Sequence, residues 1–157
     1  DLVLLATSTP DELCPAGAPR VASELGLTAG AADIAAVCSG FVYALSMAAG
    51  MIGSGTVESA LVIGADRFSR ILDPADRGTR GLFGDGAGAV VVRSGDTGPA
   101  LGCSVLGSDG SGAQLIRCGH NRAEPGATPE YFQLSGAEVF AQGVDRMSGA
   151  VVDVVER

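Results

Sequence analysis

One stretch, Ala31 to Gly53, restricts the fold more than any other part of the chain, because it joins a short apolar strand to an apolar helix through a cysteine, with Asp33 as its only charge. Asp33-Ile34-Ala35-Ala36-Val37 reads as the strand and Cys38-Ser39-Gly40 as the turn into the helix. Counted from Cys38, the apolar residues Phe41, Val42, Leu45, Ala48, Ala49 and Ile52 fall at offsets of 3, 4, 7, 10, 11 and 14, which is the helical repeat. Ala44, Met47 and Met51 make the opposite side apolar as well. The spacing therefore predicts a helix buried on all sides, with its N-terminus aiming the Cys38 thiol into the interior.

That position has chemical meaning. The unpaired N–H groups of a helix's first turn carry partial positive charge and favour a thiolate over a thiol. Half-ionising an ordinary thiol at neutral pH takes roughly 2 kcal/mol, the upper end of what a helix terminus supplies, so a base such as His normally shares the task. Cys38 is the candidate nucleophile; the alternative is a buried, inert thiol, since free Cys packs like a small hydrophobe.

The other apolar runs are short. Leu2-Val3-Leu4-Leu5-Ala6, Ser59 to Gly64, Ala89 to Val92 and Leu101 to Leu106 read as strands, with helices expected from Pro15 to Leu25 and from Ser135 to the last residue. Gly26 is placed to end the first of these. Ser135-Gly136-Ala137-Glu138 has the form of a capping box, followed by an amphipathic stripe of Phe140, Val144, Met147, Val151 and Val154. Strands this apolar, alternating with helices, predict an α/β layered fold. Both ends read as though cut inside an element.

The 24 glycines are about twice the usual share of ~7%, but they are spread between apolar runs and indicate tight connections rather than low complexity. Gly84-Asp85-Gly86-Ala87-Gly88 has the spacing of a dinucleotide loop, yet a strand follows where that motif needs a helix, so it is read as allowing close backbone approach instead. The net charge of −8 argues against a nucleic-acid partner. All ten basic residues are Arg; four of them, Arg67, Arg70, Arg77 and Arg80, gather in one segment that suits phosphate, or alternatively forms ordinary ion pairs. Four cysteines without CxxC spacing, and the lack of a leader or membrane-length run, predict a reduced, cytoplasmic setting and no membrane partner. Cys118-Gly119-His120 supplies too few donors for a metal site, and no metal is expected.

The motifs Asp33-Ile34-Ala35-Ala36-Val37-Cys38-Ser39-Gly40-Phe41, Asp73 to Thr79, Phe83 to Ala89 and Leu134 to Phe140 resemble, in order and spacing, the β-ketoacyl-acyl-carrier-protein synthase III enzymes of the thiolase-like superfamily. The resemblance implies a layered α-β-α-β-α fold, with residues 1–93 as the later part of a first repeat carrying the cysteine and residues 94–157 as the truncated start of a second. It implies that Cys38 takes an acyl group from acyl-coenzyme A, with its own backbone N–H in the oxyanion hole, and passes it to the carbanion of decarboxylated malonyl-acyl-carrier protein. By the same resemblance Arg77 lies at the coenzyme A adenine, while Phe83, Leu134, Gly136 and Phe140 shape the acyl pocket. Leu13 and Cys14 reach across a homodimer into the neighbour's pocket. No cofactor is implied, acyl-coenzyme A being a substrate. Family members are about twice as long and carry a His and an Asn for decarboxylation after the helix that starts at Ser135; neither is present, and His120 precedes that helix.

The pathway implied is fatty-acid or polyketide starter synthesis. Two other readings stand beside it: a thiolase-like acyltransferase to an alcohol or amine, and a non-catalytic pairing module that buries its apolar faces on a partner.

Overall fold

The computed structural model describes residues 1–95, 98, 100–119 and 131–157. By internal packing they form two compact units that do not follow chain order: Asp1–Arg67 with Asp85–Leu101, and Phe68–Gly84 with Gly102–Arg157.

The first unit is built on a four-stranded sheet, comprising β1 (Leu2–Ala6), β2 (Gly30–Ile34), β3 (Ser59–Arg67) and β4 (Asp85–Arg93), in the order β2-β1-β3-β4. β1 runs parallel to both β2 and β3, and β4 closes the sheet antiparallel to β3 with Gly64 opposite Gly88 and Asp66 opposite Gly86. All five residues of β1 are buried, as a continuous apolar run in a central strand requires. Their side chains alternate between two layers: Leu2 and Leu4 pack with Ala44 and Ala48 of α2 (Gly40–Gly53), and Val3 and Leu5 with Ala18 and Ala22 of α1 (Gly17–Glu24). The alanines let each helix lie close to the strands. Gly26 ends α1 at φ 69°, a conformation only glycine adopts cheaply.

Several expected elements change on folding. β2 begins and ends earlier than its apolar letters suggest, leaving Ala35 and Ala36 as a link and Val37–Ser39 as a single 3₁₀ turn before α2. α2 is buried on one face only, with Val42 and Met47 about half exposed, so Cys38 opens to solvent rather than into an interior. β3 extends through Arg67 and β4 starts at Asp85, so the glycine-rich run after Gly84 is itself strand, paired residue by residue with β3.

The second unit packs Phe68, Leu72 and Phe132 into a small core, flanked by the two-stranded ladder of β5 (Ile116–Arg117) and β6 (Gln133–Leu134). The short helix α3 spans Arg77–Arg80 and α4 spans Gly136–Val155. The expected strand from Leu101 to Leu106 is irregular chain: Leu101 and Leu106 are half exposed, and the segment has no strand beside it among the described residues. Ser135 is the N-cap of α4, but its side chain makes no capping bond. The apolar stripe of α4 is exposed, with Phe140 at 74% and Met147 at 72%. Polar ties hold the helix instead, as Arg146 Nη2 donates to Asp109 at 2.7 Å and Arg157 Nη1 to the Ser104 carbonyl at 3.5 Å.

Candidate active site

Cys38 is exposed on the 3₁₀ turn directly before α2, the longest helix of the first unit. The residue before it, Val37, has φ 47°, in the left-handed region that a β-branched side chain rarely enters. Backbone strain of this kind costs of order 1–3 kcal/mol and persists only where its surroundings impose it. The constraint is visible on both sides of the turn. Ahead of it β2 is locked to β1 through Ile34, and behind it Gly40 is buried so close to β1 that an added Cβ would meet the Ala6 Cβ at 3.2 Å.

The turn opens on a cleft of about 310 Å³ lined by Cys38, Phe41, Ala6, Asp66 and the glycines 64, 86 and 88. Gly64 carries the close approach, since a Cβ there would meet Phe41 Cδ2 at 3.2 Å. Gly86 and Gly88 do not, because a Cβ at either would meet nothing within 4 Å; their bare backbone instead leaves the cleft open. A larger cleft of about 540 Å³ shares Ala65, Asp66, Gly86 and Ala87 with the first and is lined further by α1 and the segment after β1.

Two carboxylates that periodicity could not single out organise these walls. The first is Asp33 on β2, which accepts the N–H groups of Gly17 and Ala18 at 2.8 and 2.7 Å and so caps α1, whose own N-cap, Ala16, has no side chain able to do it. The available signal was negative: a predicted helix opening with no Ser, Thr, Asp or Asn. The second is Asp66, which gathers donors from Thr7, Ser8 and Thr9.

The remaining candidates fall as follows. Leu13 and Cys14 are exposed in the segment between β1 and α1 and line neither cleft. In the second unit Arg77 is the exposed first residue of α3, held by Asp76, whose carboxylate accepts the Gly78 N–H at 2.9 Å and the Thr79 hydroxyl at 2.7 Å. Phe83 stacks on Phe68 with ring centroids 5.0 Å apart and meets Phe132 edge-on at 4.9 Å. Leu134 joins the same cluster, while Gly136 and Phe140 are exposed on the first turns of α4. His120 lies outside the described residues. Among the described residues no group of His, Cys, Asp and Glu is arranged to hold a metal ion, and no helix is long and apolar enough to cross a membrane.

This architecture is shared with known proteins. The chain is 55% identical over 94% of its length to β-ketoacyl-[acyl-carrier-protein] synthase III 2 of Streptomyces coelicolor, of which it covers 44%. Its fold superimposes with a TM-score of 0.90 on the crystal structure of 3-oxoacyl-(acyl carrier protein) synthase III from Pseudomonas aeruginosa PAO1, at 49% identity, covering all of this chain and 49% of that one. It also matches the priming β-ketosynthase of the R1128 polyketide biosynthetic pathway, at a TM-score of 0.86 and 35% identity over 96% of this chain and 46% of that one. The chain thus spans about half the length of the curated relatives it matches. Residues 32–118, which hold the cysteine turn, α2 and the paired strands β3 and β4, match the family described as 3-oxoacyl-[acyl-carrier-protein (ACP)] synthase III. With the motifs, the layered sheet and the cysteine turn in agreement, the chain belongs to that family and has its thiolase-like α/β fold.

Proposed function

We propose that the protein is a condensing enzyme in which Cys38 carries the acyl group, acting in fatty-acid or polyketide starter synthesis. The observation that carries this reading is the exposed thiol on a strained turn before α2, facing a cleft whose glycine wall leaves room for a substrate chain. The Cys38 thiolate attacks the thioester carbonyl of acyl-coenzyme A, and collapse of the tetrahedral adduct expels the coenzyme A thiolate. Malonyl-acyl-carrier protein then loses carbon dioxide, and the resulting carbanion attacks the acyl-cysteine carbonyl. The new carbon–carbon bond forms as the carbon–sulfur bond breaks, returning the Cys38 thiolate. The Cys38 backbone N–H serves as an oxyanion donor in both steps.

Arg77 binds coenzyme A at its adenine. Its exposure and its place on a turn ordered by Asp76 support that role. Phe83 and Leu134, from one apolar cluster, and Gly136 and Phe140 at the start of α4 form acyl-pocket wall, with Leu13 and Cys14 supplied to a second copy of the chain. A homodimer is supported by β4, an edge strand that among the described residues pairs with β3 alone and whose residues 86–91 are exposed. The compartment is the cytoplasm, and no cofactor takes part.

Intact-protein mass spectrometry after brief incubation with acetyl-coenzyme A tests the reading. The expected result is one acyl adduct that Cys38→Ala lacks entirely; an adduct that survives in the variant, or none in the parent, would sink it.

A further inference from the structure

We propose that Asp66 is a positioning residue for Cys38: through a single carboxylate oxygen it clamps the turn after β1 to the end of β3, and so sets the wall of the cysteine's cleft. The proposal rests on the reading of Cys38 as the acyl carrier. Asp66 is the next-to-last residue of β3, half-buried, and it lines the cleft of Cys38. Its Oδ1 accepts the Ser8 N–H at 2.7 Å, the Thr9 hydroxyl at 3.1 Å and the Thr7 hydroxyl at 3.5 Å. The Thr9 oxygen in turn accepts the Arg67 N–H at 2.7 Å, and the Thr7 oxygen accepts the Thr9 N–H at 3.1 Å.

The reason for so dense a cluster lies in the ladder. β1 pairs with β3 only as far as Ala6 opposite Gly64, whereas β3 continues to Arg67 with β4 on its other side. Past Gly64 the side of β3 that faced β1 has no strand to bond among the described residues, and the Thr7–Thr9 turn with Asp66 takes the strand's place. An ionised acceptor makes these bonds stronger than neutral ones.

The clamp reaches the cysteine through Ala6. Ala6 immediately precedes the clamped turn, is buried, and lines the Cys38 cleft. It stands so close to Gly40, the first residue of α2, that a Cβ there would press on the Ala6 Cβ at 3.2 Å. Releasing Thr7–Thr9 leaves Ala6 held only by the last rungs of its two ladders, opposite Ile34 and Gly64, and loosens the end of β1 against which Gly40 and the Cys38 turn rest. Oδ1 already serves three donors, so the role is that of an acceptor holding geometry and not of a proton carrier. Asp66→Asn retains an oxygen acceptor and Asp66→Ala does not, which separates the two roles.

The test compares the expressed protein with Asp66→Asn, Asp66→Ala and Thr9→Val by three readouts. These are hydrogen exchange over residues 6–10 and 65–68, iodoacetamide alkylation of Cys38 resolved by peptide mass spectrometry, and acyl-adduct formation against acetyl-coenzyme A concentration. Asp66→Ala is expected to speed exchange at Ser8 and Arg67 about tenfold and to change Cys38 alkylation at least about threefold, with Cys103 in the second unit unchanged. It is expected to lower the maximal acylation rate while shifting the half-saturating concentration less than about twofold; Asp66→Asn recovers most of each effect. Wild-type exchange and alkylation in Asp66→Ala overturn the proposal, as does an Asn variant as impaired as the Ala variant. Should Asp66→Ala fail to fold, Thr9→Val, which removes the Arg67 acceptor and one donor to Asp66, decides the matter: altered Cys38 alkylation supports the clamp and unaltered alkylation overturns it. A parent protein that forms no acyl adduct defeats the condensing-enzyme reading alone, because exchange and alkylation still read the clamp.

Discussion

Val37 holds its left-handed φ of 47° while the residue is 54% exposed, so little packing compensates the strain. Replacing it by Gly removes a cost of order 1–3 kcal/mol and adds the extra unfolded-state entropy of Gly, about 0.5–1 kcal/mol. Val37→Gly is therefore expected to raise Tm by about 2–4 °C; a lower Tm in a thermal scan would show that the valine packs more than its exposure suggests. Asp76 offers a second check, on charge. Its carboxyl is held below the ordinary value of 3.8, first by the Thr79 hydroxyl and then by the Gly78 N–H. Because folding favours the ionised form, the contribution to stability is complete above the unfolded value and disappears as pH falls through the lower folded value. Asp76→Asn should be less stable than the parent at about pH 7, and the gap should close well below pH 3.8. An equal gap in urea unfolding at both extremes would assign the effect to shape rather than charge.

Among the elements, α1 depends most visibly on a residue outside itself. Asp33, one strand away, accepts two of its orphan N–H groups, and no residue of the helix's own entry can replace it. Asp33→Ala should cost about 1–3 kcal/mol, the range for losing a cap or a charge-assisted bond, read as a lower urea midpoint with unchanged slope. A loss below a few tenths would mean that water replaces the carboxylate. The same element explains what periodicity could and could not show. Offsets of 3, 4 and 7 located α2 and α4 to within two residues, because the helical repeat is a local property of the chain. Which face of α2 is buried was not local: Gly40, Ala44 and Ala48 take the fully buried places because they are small enough to lie against the strands, Phe41, Leu45, Met51 and Ile52 pack partly buried beside them, and Val42 and Met47 are exposed.

At the scale of the molecule, apolar surface is not confined to a core. Phe140, Val144, Met147 and Val151 of α4 are 74, 53, 72 and 63% exposed, a continuous stripe of the kind that invites association. The 157-residue chain is expected to raise the fluorescence of a hydrophobic dye, and the pair Met147→Ser and Val151→Ser to lower that signal by about half or more; a parent chain as dark as buffer would contradict the exposed stripe. The sequence by itself determined the α/β class, the place of Cys38 between a strand and a helix, and the family, because apolar periodicity, glycine spacing and four motifs in register are written along the chain. Only the tertiary structure decided that the thiol faces solvent, that the glycine-rich run is paired strand and that 101–106 is not strand. It also decided that Asp33 and Asp66 hold segments remote in sequence, Asp66 acting across 57 to 59 positions. The physical reason is that burial, ladder pairing and a carboxylate's choice of donors are settled by neighbours in space, and a one-dimensional pattern does not encode which neighbours those will be.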